Sequence, residues 1–301
     1  MSTLEKIDRA LVGMETLQEI IETVLFTPAI HDCVPISIIL VGPPGTGKSK
    51  IILQFSAPSL LKTNDVTSAG LADIVGDDKE NKVRHVIIPD FNIVVSHKAA
   101  TSNLTISSLL TLMSEGILRI DDGRRKKELI HAPLGIITAM TREIYEEHAT
   151  RFRKLGIGRR FVPLFFGYSL PTREKIQSSI KNGNTTLKQL QEKKIMLPKR
   201  EAWPLKADFP TALAEKVATY SLSMAEALSY QPDWIRDNET FAWKIQPVHG
   251  RPPMEFTPHM VLRAMAQAHA IRAGRKVVKE TEMEFLMRFI SFMNYSLPVQ
   301  L

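Results

Sequence analysis

A chain of 301 residues, 44% hydrophobic and 24% charged, can bury a substantial core and is long enough for two compact units. Its one cysteine, Cys33, excludes an internal disulfide and a cysteine-rich zinc site and suits a reducing, cytoplasmic compartment. The formal net charge of +7 leans toward an anionic partner, either nucleic acid or a phosphorylated ligand. No basic stretch leading into an unbroken apolar run opens the chain, and no apolar run reaches the roughly eighteen residues of a membrane span, so neither secretion nor membrane spanning is expected.

In chain order, "MSTLEKIDRALVGMETLQEIIETVL" predicts one or two helices. "ISIILV", residues 36–41, is a β-branched apolar run between Pro35 and Gly42 and reads as a buried parallel strand. "KSKIILQFSAPSL" has apolar positions at helical spacing and is expected to end near Pro58. Between them lies Gly42, Pro43, Pro44, Gly45, Thr46, Gly47, Lys48, Ser49 and Lys50. The order strand, glycine loop, helix suits a bound phosphate, because the first N–H groups of a helix are free and its N-terminus carries partial positive charge. The glycines give the backbone its tight path, Lys48 is expected to reach the β- and γ-phosphates, and the Ser49 hydroxyl to help hold magnesium. The loop is therefore read as the grip on a nucleoside triphosphate.

Such a grip needs a carboxylate for the metal at the end of a neighbouring strand. Asp90 closes the apolar run Val86 to Ile88 and is the candidate, the alternative being an aspartate that caps a helix or turn. "TISSLLTLMSEGILRI" predicts an amphipathic helix stopping at Gly116 and then a strand. "ILRI" and "ELIHA" are expected to pair as a hairpin whose tip carries Arg124, Arg125, Lys126 and Lys127. "LGIITAMT", residues 134–141, predicts another buried strand.

These residues resemble the AAA+ ATPases, and more loosely the branch holding the minichromosome maintenance helicases, MoxR-type ATPases and magnesium chelatases. "GPPGTGKS" is similar to the Walker A loop of that superfamily, "VIIPD" to its Walker B strand, and "LGIITAMTR" to the strand bearing its sensor-one residue. "LGIGRRFVPLFFGYS" resembles the arginine-finger segment, and "FTPHMVLRAMAQAHAIRAGRKVVKETEMEFL" the closing helices of the lid. The resemblance implies ATP and Mg2+ as cofactors and Thr141, or Thr138, as sensor one. It implies Arg160, with Arg159 as the alternative, as a finger facing the next subunit's nucleotide, and hence a homo-oligomer, a ring and by family habit a hexamer. Relatives carry a sensor-two arginine where this chain has Pro258 and His259, so Arg263, one turn on, is the substitute candidate.

One departure bears on chemistry. Relatives place glutamate directly after the Walker B aspartate to activate the attacking water, whereas here Phe91 and then Asn92 follow Asp90. An amide orients water but does not accept its proton, and losing a general base typically costs about 10²–10⁴-fold, so slow intrinsic hydrolysis is expected.

The expected architecture is a three-layer α/β domain with a parallel sheet over residues 1–170, a P-loop NTPase fold with nucleotide at the strands' carboxyl ends, followed by a mainly helical lid over 171–301. The basic hairpin favours a DNA-directed motor, helicase-like or loader ATPase, in which those charges meet phosphates. The alternatives are a MoxR-like ATPase remodelling a protein client, and a nucleotide-gated scaffold.

Overall fold

The computed structural model describes residues 13–31, 33–80, 82–121, 126–181, 193–198, 202–236, 243–249 and 256–301. In chain order these form α1 (Glu15–Phe26), β1 (Ser37–Gly42), α2 (Lys48–Leu53), β2 (Phe55–Ser56), β3 (Leu60–Lys62), α3 (Ser68–Asp77), β4 (His85–Ile88), α4 (Phe91–Ser96), α5 (Ala99–Glu115), β5 (Ile117–Asp121) and β6 (Lys126–Ile130). They continue with β7 (Gly135–Thr141), α6 (Arg142–Leu155), β8 (Phe161–Gly167), α7 (Leu170–Lys181), β9 (Lys193–Lys194), α8 (Thr211–Ser229), β10 (Tyr230–Arg236), β11 (Trp243–His249), α9 (Phe256–Arg272), α10 (Glu280–Ser291) and β12 (Val299–Gln300).

Six strands form the central sheet in the order β12-β8-β1-β7-β4-β3, with every pairing parallel. Parallel neighbours need helices across both faces, and the side-chain alternation of β1 shows how that is met. Ile38 and Leu40 enter one buried cluster with α1, α2 and the helices α8, α9 and α10, while Ile39 and Val41 enter a second with α3, α4, α5 and α6. The result is the expected three-layer α/β fold. The boundary expected near residue 170 falls just past β8, yet α8, α9 and α10 share a core with α1 and one face of the sheet.

Several local expectations differ from the structure. The helix after the glycine loop stops at Leu53, well before Pro58, and Phe55–Ser56 instead pairs with Lys193–Lys194. Residues 230–249, in the stretch with no sequence assignment beyond helical patches and proline-broken turns, contain the antiparallel ribbon β10–β11, with Pro232 opposite Pro247. That ribbon docks on α6 through Asp233, which accepts from Thr150 Oγ1 at 3.1 Å and pairs with Arg153 at 2.6 Å. Gly135 is required by a close approach, since a Cβ there would lie 2.3 Å from the ring of His85.

An ion cluster fastens α1 to α9 and α10. The His269 ring places Nδ1 2.8 Å from Glu282 Oε1 and Nε2 3.0 Å from Glu19 Oε1, and stacks on Phe285 at 4.3 Å. Arg272 bonds Glu22 at 2.6 Å and Glu19 at 3.1 Å, Arg288 bonds Glu19 at 2.9 Å, and Arg275 pairs with Glu282. Glu282 also accepts from the Lys279 N–H at 2.7 Å, tying the first turn of α10 back to the residue before it.

Candidate nucleotide-binding site

The glycine loop leaves β1 at the carboxyl end of the sheet, where a parallel α/β fold places its ligands. Gly45 and Gly47 have φ of 74° and 78°, left-handed conformations that favour glycine and let the chain curl between strand and helix. Within that curl the backbone N–H groups of Gly45, Thr46, Gly47, Lys48 and Ser49 have no acceptor among the described residues. Consecutive amides left open in this way form an anion-binding nest. Around them, Thr46 Oγ1 donates to Pro43 O at 2.8 Å, and the Tyr168 hydroxyl just past β8 donates to Thr46 O at 3.0 Å, fixing the loop against the neighbouring strand.

Lys48 is buried, and its ammonium donates to Gly42 O at 2.8 Å and Pro43 O at 2.6 Å. Burial pulls its pKa down, opposed by the negative charges of Glu143 and then Asp90. The only side-chain acceptor it meets among the described residues is the Thr46 hydroxyl at 3.4 Å. Its charge is therefore held by dipoles rather than by an ion pair, which leaves it available to an anion. Pro44, Gly45, Ser49 and Lys50 are exposed.

Ser49 Oγ donates to Pro89 O at 3.0 Å, tying α2 to the end of β4 at the residue before Asp90. Asp90 also caps α4, accepting from the Asn92 N–H at 3.0 Å, so the cap reading of this aspartate holds beside its position at the strand end. No group of three or more His, Cys, Asp or Glu suited to a metal occurs among the described residues. One carboxylate and one hydroxyl nonetheless fit magnesium, which takes few protein ligands and completes its shell from phosphates and water.

Phe91, in the place relatives reserve for glutamate, is 1% exposed and packs its ring 5.9 Å from that of Phe161. Asn92 Oδ1 is buried with no partner among the described residues. Of the sensor-one candidates, Thr138 is fully buried and donates to Ile88 O at 2.7 Å, joining β7 to β4. Thr141 stands opposite Gly42 in the β1–β7 register and caps α6 by accepting from the Ile144 N–H at 3.4 Å.

The remaining candidates lie apart. Arg160 precedes β8, whose register sets Phe161 opposite Ser37. Arg160 thus sits at the amino end of the sheet, about 20 Å from the loop at about 3.3 Å per residue. Its Nε is buried with no partner among the described residues, and the side chain of Arg159 is outside them. Arg263 is exposed, with its guanidinium 5.6 Å over the ring of Phe209 on the α9 side of the molecule. The expected hairpin is present as β5–β6, but Lys126 and Lys127 are strand residues opposite Asp121 and Ile120 rather than tip residues, and Arg124 and Arg125 lie outside the described residues.

Sequence reasoning missed two residues here. Tyr168 follows the strand beside the loop, a placement visible only once β8 is paired with β1. Glu143 stands two residues past Thr141, and the signal for it was the carboxylate in "MTRE" directly after a predicted strand. No protein-family model matches the chain, and no curated protein matches it.

Proposed function

We propose that this chain binds magnesium ATP as an AAA+ P-loop ATPase and works as an oligomer. The observation that carries the reading is the nest of five open amides beside a buried Lys48 that bonds no carboxylate, with Ser49 bonded to Pro89 O, one residue before Asp90. Placement of β7 between β1 and β4 supports it, because the strand likened to sensor one then lies between the Walker A and Walker B strands. In this reading the amides and Lys48 hold the phosphates, Ser49 and Asp90 hold magnesium, and Asn92 orients water. Magnesium supplies charge neutralisation across the β- and γ-oxygens when bound.

Arg160 cannot serve its own loop across the sheet, so as a finger it acts on a neighbouring copy, which calls for a ring, a hexamer by resemblance. Residues 171–301 act as the lid, with Arg263 as its sensor-two arginine. The β5–β6 hairpin makes single-stranded DNA the first client to test. No helix among the described residues is long and apolar enough to cross a membrane.

Calorimetry of the full chain with ATP and magnesium tests the reading: binding is expected, and Lys48→Ala is expected to remove it. Single-stranded DNA is expected to bind at low salt and speed turnover, and replacing Arg124 to Lys127 by alanine to abolish both. Nucleotide binding with no response to DNA would favour a protein client.

A further inference from the structure

If the site binds ATP as proposed above, hydrolysis still needs a group to take the proton of the attacking water. The position after Asp90 offers none, since Phe91 is in the core, and Asp90 itself is occupied with the Asn92 N–H. Another carboxylate stands at this end of the sheet. Strands β1 and β7 run parallel with Gly42 opposite Thr141, so the chain leaving β7 enters α6 beside the loop leaving β1. Thr141 is taken up in capping, and the Arg142 guanidinium is turned to Glu146 at 2.8 Å and over the Tyr295 ring at 4.6 Å. Glu143, the next residue, is exposed and has neither hydrogen bond nor ion pair among the described residues. Its charge acts on the Lys48 ammonium more strongly than that of Asp90.

We propose that Glu143 is the general base of the site, the carboxylate that stands in for the glutamate missing after Asp90. The water oxygen bonds to the γ-phosphorus, and the bond from that phosphorus to the β–γ bridging oxygen breaks, its electron pair leaving with ADP. The water proton passes to Glu143, which returns it to solvent. A carboxylate at this place also explains how a chain without the usual residue keeps a basic group within the field of its phosphate-binding lysine.

The test uses the full chain and two variants, Glu143→Gln and Glu143→Asp, with calorimetry for magnesium ATP binding and single-turnover release of γ-phosphate at saturating ATP. Glu143→Gln is expected to bind within about threefold of the parent and to release phosphate about 10²–10⁴-fold more slowly, with Glu143→Asp recovering part of the rate. Bound nucleotide extracted from Glu143→Gln should be ATP where the parent yields ADP. Glu143→Gln turning over within threefold of the parent overturns the role, as does weakened binding with unchanged turnover, which marks Glu143 as a counter-ion of Lys48. A parent that binds ATP but releases no phosphate overturns it while leaving the nucleotide reading intact. A parent that binds no ATP ends both.

Discussion

Two regions of this molecule bury cationic groups, and they do so in opposite ways. In the cluster between α1, α9 and α10, Arg275 meets the fully buried Glu282 directly, Arg272 and the half-exposed Arg288 meet Glu19, and the His269 ring bonds both carboxylates, so each guanidinium has a fixed carboxylate. In the glycine loop Lys48 has only the carbonyls of Gly42 and Pro43 and the Thr46 hydroxyl, and its nearest carboxylates act at a distance. A carboxylate cancels a charge for good, whereas carbonyl dipoles solvate it without neutralising it. The first arrangement is a fastening, and the second leaves a charge without a fixed partner.

The sharpest way to break this contrast is to remove a partner on each side. Glu282→Ala leaves His269 and Arg275 facing a vacated carboxylate site, and a loss of about 3–5 kcal/mol is expected in denaturant unfolding. The hydrogen bond from His269 leads the effects that lower the pKa of Glu19, while for Glu282 burial is outweighed by the Lys279 N–H, His269 and Arg275. Carboxylates with depressed folded-state pKa stabilise above the ordinary value of 4.5 and lose that contribution as pH falls below it. Acid unfolding below 4.5 should therefore be shallower in the variant.

A third solution to the same problem is to bury the base uncharged. His85 is fully buried against Gly135, bonds Ile36 O at 3.2 Å, and burial pushes its pKa down to about 4. The unfolded chain binds a proton at this histidine below 6.5 and the folded chain does not, so about 3 kcal/mol of stability should disappear between pH 6.5 and 4. His85→Gln should flatten that part of the stability curve in a pH series of urea melts.

Lys48→Met sharpens the comparison from the side of the glycine loop. With no carboxylate to strand, stability should stay within about 1 kcal/mol of the parent, while magnesium ATP affinity falls about 100-fold, or about 2.7 kcal/mol. Paired melts and calorimetry decide it, and a stability loss as large as that of Glu282→Ala would erase the distinction. The smallest effect is expected from Tyr168→Phe, which removes one hydrogen bond to Thr46 O and should cost about 1 kcal/mol in the same melts.

Legibility followed the range of the interactions. The strand before Gly42, the helix ending at Gly116 and the strand ending at Thr141 are local patterns of period and punctuation and stand in the structure, as does the β5–β6 pairing, though its strand runs on through Lys126 and Lys127. Ribbon β10–β11 was hidden because Pro232 and Pro247 argue against strands, and they are tolerated only because both strands of a two-stranded ribbon are edges. The ion cluster was hidden by distance along the chain, as Glu19 and His269 are 250 residues apart. At the site, "GPPGTGKS" and Asp90 could be read directly. Glu143 could not, because its nearness to Lys48 comes from β7 lying beside β1.

Helix α6 is secured at both extremities. It begins in the Thr141 cap beside the glycine loop and, about 20 Å further on at 1.5 Å per residue, Arg153 holds Asp233 of the ribbon. A rod pinned at its two ends is a strut: it sets the spacing between the ribbon and the carboxyl end of the sheet, where Glu143 stands.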